Sequence, residues 1–223
     1  SRWGIEATLN RVVGMFAIAV WDRSDRRLCL VRDRMGEKPL YYGWCNGRFV
    51  FGSELKAVCR YPGFSNEIDR DSLTLYLRHN YVPAPYSIYK NISKLEPGCL
   101  LSLKLDDTVS SPSLKLRAPK SDGSLQLSRW WSLHEVVEAG LASRIIDEKE
   151  ALVQLESQLR ESIRLQLAAD VPLGVFLSGG VDSSLIVALM QSEANTPVST
   201  YTIGFSEANY DEAVYARSVA SHL

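Results

Sequence analysis

The apolar run Val171-Pro172-Leu173-Gly174-Val175-Phe176-Leu177 passes without a spacer into Ser178-Gly179-Gly180-Val181-Asp182-Ser183-Ser184. The first half has the length and continuity of a buried strand, and Ser183 to Ser192 has the composition of a helix. Val198 to Phe205 reads as a second strand, with a helix after it. A βαβα order implies parallel strands joined by a right-handed crossover, which confines this part of the chain to an α/β sheet. Glu148 to Ala168 precedes it as an amphipathic helix, with Leu152, Leu155, Leu159, Ile163 and Leu167 at a three-to-four spacing.

The glycine pair lies where such a strand hands over to its helix, the rim at which ligands of open α/β sheets collect. Gly179 and Gly180 carry no Cβ, so the backbone can approach an oxyanion, and the unpaired first-turn amides of the helix favour a polyphosphate. Ser178, Ser183 and Ser184 add hydroxyl donors. Asp182 is the most informative residue, because a carboxylate beside phosphates repels them unless a divalent cation bridges the two, which implies Mg²⁺ with Asp182 as its ligand. The pattern G-x-x-x-x-G-K-[ST] is absent and no lysine stands nearby, so the loop is not a Walker A loop and calls for another use of ATP.

The first sixty residues read as antiparallel sheet. Gly14 to Trp21 and Leu28 to Val31 form one pair around a turn at Asp22–Asp25. Leu40–Trp44 and Arg48–Phe51 form a second around Asn46-Gly47, a dipeptide suited to a turn that needs two positive φ angles. A helix is expected near Ser53, capped by its hydroxyl with Glu54 in the first turn, and another over Asp71–His79, with a strand at Leu100–Leu103. Asp106 to Ser128 turns to Ser, Asp, Lys, Gly and Pro and reads as loop or connection. The expected organisation is one domain over 1–105, a connection over 106–145 and a second domain over 146–223.

Charge excludes some partners. Lys plus Arg number 25 against 26 Asp plus Glu, a formal net charge of -1, so there is no electrostatic case for nucleic acid or an anionic membrane. The longest apolar run, Met15–Trp21, is far shorter than the roughly 20 residues that span a bilayer. No basic segment followed by an apolar one opens the chain, and a cytoplasmic location is expected. Cys29, Cys45, Cys59 and Cys99 show no C-x-x-C pattern and His79, His134 and His222 are scattered, so no zinc site is readable and the cysteines are expected as reduced thiols. Arg32, Asp33, Lys38 and Glu54 stand where strands turn and a helix begins, and are read as ion pairs or caps rather than as catalysts. Tyr41, Tyr42 and Trp44 are read as sheet packing. Tyr210-Asp211-Glu212 is read as the start of a helix, with a role in positioning ATP or its metal as the lesser reading.

Ser178-Gly179-Gly180-Val181-Asp182-Ser183-Ser184 after its strand resembles the pyrophosphate loop of the ATP-pyrophosphatases. Gly14–Asp22, Arg32–Gly43 and Phe51–Ala57 look like the latter part of a class II glutamine amidotransferase domain. Joined to Asp170–Gly180, with Tyr81-Val82-Pro83-Ala84-Pro85, Leu95–Gly98 and Trp130-Trp131-Ser132-Leu133 between them, they are similar to the glutamine-hydrolysing asparagine synthetases. The resemblance runs through nearly the whole chain except 106–128. It implies an α/β protein in two parts: the C-terminal part of an α+β glutaminase domain of the N-terminal-nucleophile type, with an antiparallel sheet, and the start of an α/β pyrophosphate-loop domain with a parallel sheet.

In that family ammonia released from glutamine travels to a synthetase site where aspartate and ATP form β-aspartyl-AMP, and AMP and pyrophosphate leave. The resemblance places the pyrophosphate at Ser178, Gly179, Gly180, Asp182, Ser183 and Ser184, Mg²⁺ at Asp182, and the adenosine at Leu177 and Ile203. It names ATP, glutamine and aspartate as small-molecule partners and leaves a homodimer of the whole enzyme open. The family's glutaminase nucleophile has no counterpart in this sequence, so no catalytic residue is assigned, Ser1 is a weak candidate for that role, and the chain reads as an internal piece expected to be inactive alone. A relative that amidates another acceptor or closes a β-lactam, and a non-catalytic nucleotide binder, are the alternatives.

Overall fold

The structure, a computed structural model, describes residues 3–104, 117–122, 125–207, 209 and 211–223. Ser1, Tyr210, residue 105 and the stretch 106–116 of the expected connection lie outside the described residues. The chain divides into two compact units, Ser1–Ala142 and Ser143–Leu223. No helix among the described residues is long and apolar enough to cross a membrane.

The first unit opens with a short helix, α1 (Ile5–Leu9), followed by the hairpin β1 (Ala17–Asp22) and β2 (Arg27–Arg32). A second hairpin, β3 (Tyr41–Cys45) and β4 (Arg48–Gly52), turns at Asn46 and Gly47 with φ of 49° and 73°. These are the two positive angles the Asn-Gly pair implies. Helices α2 (Leu55–Val58) and α3 (Arg70–His79) come next, then β5 (Ile92–Lys94), β6 (Cys99–Lys104), β7 (Lys120–Asp122), β8 (Leu125–Arg129) and α4 (Leu133–Ala142). The strands form two antiparallel sheets, ordered β1-β2-β6-β8-β7 and β4-β3-β5.

Period-two alternation distributes β2 between two cores. Leu28 and Leu30 face a cluster with Leu40, Tyr42, Trp44, Leu101, Leu103, Leu125 and Leu127, drawn from both sheets. Cys29 and Val31 face the other way, against Leu9 and Leu100, with Phe16, Ile18 and Trp130 around them. Burying a leucine of this kind contributes on the order of 2 kcal/mol, and this unit holds most of them. Tyr42 is fully buried and Trp44 nearly so, the packing role read from the sequence.

Several expected elements differ from those observed. The helix near Ser53 begins at Leu55, with Glu54 extended at the N-cap and neither side chain capping it. Glu54 instead pairs with Lys56 at 2.7 Å. The α3 cap is Asp69, whose carboxylate accepts from the Asp71 and Ser72 amides. Most informative is the polar stretch expected as loop over 106–128. Leu125 and Leu127 within it are 1% and 2% exposed and form a strand on the free side of β6. Two inward leucines at period two suffice for a strand once β6 offers an unpaired edge, and no composition window shows that edge.

Arg32 and Asp33 serve the backbone of the first unit. Arg32 donates from Nε to the Lys38 carbonyl at 2.9 Å and from Nη1 to the Leu95 carbonyl at 2.6 Å, with Nη2 on the Gly36 carbonyl. Asp33, 1% exposed, accepts the Glu37 and Lys38 amides, each at 2.9 Å. Together they hold the turn between β2 and β3.

The second unit contains α5 (Glu148–Leu167), β9 (Gly174–Phe176), α6 (Val181–Glu193), β10 (Ser199–Tyr201) and α7 (Ala213–His222). Asp147 caps α5 through the Glu150 amide at 2.9 Å. β9 and β10 pair in parallel over three residue pairs. Both strands are shorter than expected. Pro172, with no amide to give, keeps 171–173 out of the ladder, and Val171 is 68% exposed. Of the apolar stripe of α5, only Ile163 is buried. Arg160 links that helix to the end of α6, bonding Ser192 at 2.7 Å and Glu193 at 2.8 Å.

Candidate functional site

Leu177, Val187 and Ala216 form the small core of the second unit, one from the end of β9, one from α6 and one from α7, with Val175 and Val219 against them. The strand, both helices and the loop between β9 and α6 are therefore set by one packing arrangement. The ladder closes with the Leu177 amide on the Tyr201 carbonyl at 2.9 Å. The chain then leaves the sheet and turns within three residues into α6.

Gly179 makes that turn possible. Its φ is +84°, and a Cβ there would lie 2.6 Å from Cβ of Tyr215 and 2.8 Å from the amide nitrogen of Ala216, both in α7. Gly180, at the N-cap of α6, is extended (φ −73°, ψ 163°) and uses no side chain to cap the helix. The first helical bond runs from the Ser184 amide to the Gly180 carbonyl at 3.0 Å, so the amides before it have no partner within the helix. The loop thus presents a glycine backbone and the positive end of a 13-residue helix at one place.

The hydroxyls are ordered among themselves. Ser178 and Ser183 lie 2.9 Å apart, oxygen to oxygen, and the Ser183 hydroxyl also accepts from the Ser178 amide at 3.3 Å. The Ser178 hydroxyl accepts from the Gly180 amide at 3.3 Å. Ser184 behaves differently: its Oγ is buried and bonds no described atom, so its hydroxyl does not stand on the open side of the loop. Asp182 is exposed in the first turn of α6. Among the described residues no group of three or more His, Cys, Asp or Glu could hold a metal ion. One exposed carboxylate is nonetheless sufficient for Mg²⁺ in a nucleotide site, where phosphate oxygens and waters supply the remaining positions.

Leu177 and Ile203, read from the resemblance as adenosine neighbours, are placed unlike each other. Leu177 is 2% exposed and its side chain is used by the core; Ile203 is 69% exposed, two residues past the end of β10. α7 begins at Ala213, with Glu212 at the N-cap and Asp211 outside the helix. Asp211 is committed to backbone, its Oδ1 accepting from Phe205 at 3.4 Å and from Ala213 at 3.1 Å. It fastens the segment after β10 to the start of the helix that covers Gly179. Sequence reading gave it only dipole complement or ATP contact, because an aspartate two residues before a helical amide looks alike in each case.

Residues 1–113 match the glutamine amidotransferase domain family and residues 154–223 the asparagine synthase family. Among curated proteins, the chain is 32% identical over 94% of its length to a Methanocaldococcus jannaschii protein bearing the provisional name asparagine synthetase (glutamine-hydrolysing) 2. It is 28% and 31% identical, over 98% and 91% of its length, to asparagine synthetases (glutamine-hydrolysing) 1 and 3 of Bacillus subtilis. The chain belongs to the glutamine-hydrolysing asparagine synthetase family. It spans about a third of the length of these relatives, 37%, 31% and 30% respectively.

The two units differ in the groups they carry. All four cysteines are free thiols of the first unit, and Cys29, Cys45 and Cys99 are buried. Burial pushes all three thiols up, that of Cys99 from the ordinary 9.0 to about 11, the opposite of what an activated sulfur nucleophile requires. The glycine loop, the exposed carboxylate of Asp182 and Ile203 all belong to the second unit.

Proposed function

We propose that the second unit of this chain binds ATP and that the whole enzyme uses it to join ammonia to a carboxylate, the acceptor being aspartate as in the named relatives. The observation that carries this reading is Gly179: a left-handed glycine, closed in by α7, delivers the strand end of a parallel ladder onto the N-terminus of α6. The amides of Gly179, Gly180 and the first turn of α6, with the hydroxyls of Ser178 and Ser183, hold the β and γ phosphates. Asp182 holds Mg²⁺, which when bound offsets charge on the pyrophosphate. Residues 146–223 supply this nucleotide half and residues 1–105 the glutaminase-type half.

In the reaction, an acceptor carboxylate oxygen attacks the α-phosphorus, and the bond from that phosphorus to the bridging oxygen breaks, so that pyrophosphate departs with the bonding pair. Ammonia freed from glutamine attacks the resulting acyl adenylate; AMP leaves with its oxygen and the nitrogen loses a proton. The loop donors act where negative charge grows on the leaving pyrophosphate, and a pre-set loop stabilises it without reorganising.

The test is titration of the purified chain with ATP, with and without Mg²⁺. Asp182→Asn is expected to lower affinity at least about tenfold in the presence of Mg²⁺ and little in its absence, since only the metal-mediated contact is lost. Asn is nearly isosteric, so the unfolding transition stays in place. A wild-type chain that binds no ATP overturns the nucleotide reading, and equal Mg²⁺-dependent affinities overturn the role of Asp182.

A further inference from the structure

The peptide group that joins Leu177 to Ser178 is the last of the strand and the first of the loop, and it is held from both ends by side chains. Its N–H donates to the hydroxyl of Ser183 at 3.3 Å. Its carbonyl oxygen accepts from the hydroxyl of Thr202 at 2.6 Å. In a continued parallel ladder that carbonyl would take the amide of residue 203. The register instead ends at Phe176 opposite Tyr201, and a side chain from the next residue of the neighbouring strand supplies the donor.

We propose that Thr202 is a positioning residue of the glycine loop: its hydroxyl fixes the plane of the Leu177–Ser178 peptide and thereby the approach of Ser178, Gly179 and Gly180 to a polyphosphate. The proposal rests on the nucleotide reading above and adds a residue that stands outside the loop, 25 positions along the chain from the carbonyl it bonds. The physical reason is rotational. A peptide plane anchored only at its N–H can rock about the strand end, and Ser183, the anchor, shares its hydroxyl with Ser178 and with the Gly180 carbonyl at 3.2 Å. A donor on the carbonyl side removes that freedom. It also leaves the Ser183 hydroxyl able to change partner when a phosphate arrives, without the loop losing its entry direction. On the far side, α7 closes over Gly179, so the peptide plane and the glycine are held by different elements.

Thr202→Val keeps the shape and removes the hydroxyl; Thr202→Ser keeps the hydroxyl and removes the methyl. Each is titrated with MgATP and with magnesium pyrophosphate, and amide hydrogen exchange is followed at Ser178–Asp182 and in α5. Thr202→Val is expected to weaken both ligands about fivefold, the equivalent of one ordinary hydrogen bond. It should speed exchange in the loop and not in α5, and Thr202→Ser should restore wild-type values within about twofold. Wild-type affinity and exchange in Thr202→Val overturn the proposal. So does a serine variant as weak as the valine, because the methyl rather than the hydroxyl would then matter. A wild-type chain that binds neither ligand removes the nucleotide reading, while the exchange comparison decides the positioning role by itself: unchanged loop exchange in Thr202→Val overturns it.

Discussion

Gly179 and Gly180 are adjacent and look equivalent in the sequence, yet they answer to different forces. At Gly179 any side chain meets both a left-handed φ and the backbone of α7 less than 3.0 Å away; at Gly180 a Cβ meets only the Ser178 hydroxyl, at 3.4 Å, an ordinary contact. Gly179→Ala is therefore expected to destabilise the second unit by about 2–4 kcal/mol and to abolish ATP binding, since neither the helix backbone nor the turn can yield cheaply. Gly180→Ala should fold with a loss of about 1 kcal/mol or less. Urea unfolding of the two variants, followed by far-ultraviolet circular dichroism, checks the contrast, and equal losses would show that α7 is not seated on Gly179. The need for glycine was legible from the loop's chemistry. Which glycine is irreplaceable was not, because the clash comes from Tyr215 and Ala216, more than thirty residues away.

Among the elements, the turn between β2 and β3 shows how a charged motif can be structural. Within a turn that a backbone ladder does not reach, Arg32 satisfies the Gly36 and Lys38 carbonyls and Asp33 the Glu37 and Lys38 amides, while Arg32 also ties the turn to the Leu95 carbonyl after β5. Arg32→Leu is expected to cost about 3–5 kcal/mol, because it strands buried carbonyls and leaves the Asp33 carboxylate without its neighbouring cation. The check is the shift in the urea midpoint seen by tryptophan fluorescence, and a change below about 1 kcal/mol would mean water replaces the guanidinium. Strand and helix order was readable over much of the chain: the Asn-Gly hairpin, α3, α5 and the order of β9, α6, β10 and α7 all rest on local pattern. β8 escaped because its partner edge is decided by β6, and the length of β9 escaped because Pro172 counted as apolar while removing a ladder donor.

At the level of the whole molecule, the two units differ in how they should respond to alkali. In the first, burial raises the thiols of Cys29, Cys45 and Cys99 and the phenol of Tyr42. The unfolded chain loses these protons first, so stability from Cys99 is fully present below 9.0 and falls as pH rises from there to about 11. Each such group costs at most about 1.4 kcal/mol per pH unit in its window. Trp3, Trp21, Trp44, Trp130 and Trp131 all lie in this unit, so fluorescence reports it alone. Urea midpoints taken at about pH 8, 9.5 and 10.5 are expected to fall, and Cys99→Ala to flatten the slope while lowering the midpoint at about pH 8. A slope unchanged by Cys99→Ala would mean that the thiol is already hydrated in the native state. The sequence by itself determined that a glycine-hydroxyl-carboxylate loop follows a strand and opens a helix, and that antiparallel hairpins precede it, because periodicity, turn chemistry and missing Cβ atoms act over a few neighbouring residues. Only the tertiary structure decided that β8 joins a five-stranded sheet, that Leu177 faces inward while Ile203 faces out, that α7 packs on Gly179 and that the Thr202 hydroxyl bonds the Leu177 carbonyl, because those contacts join residues whose separation along the chain carries no local signal.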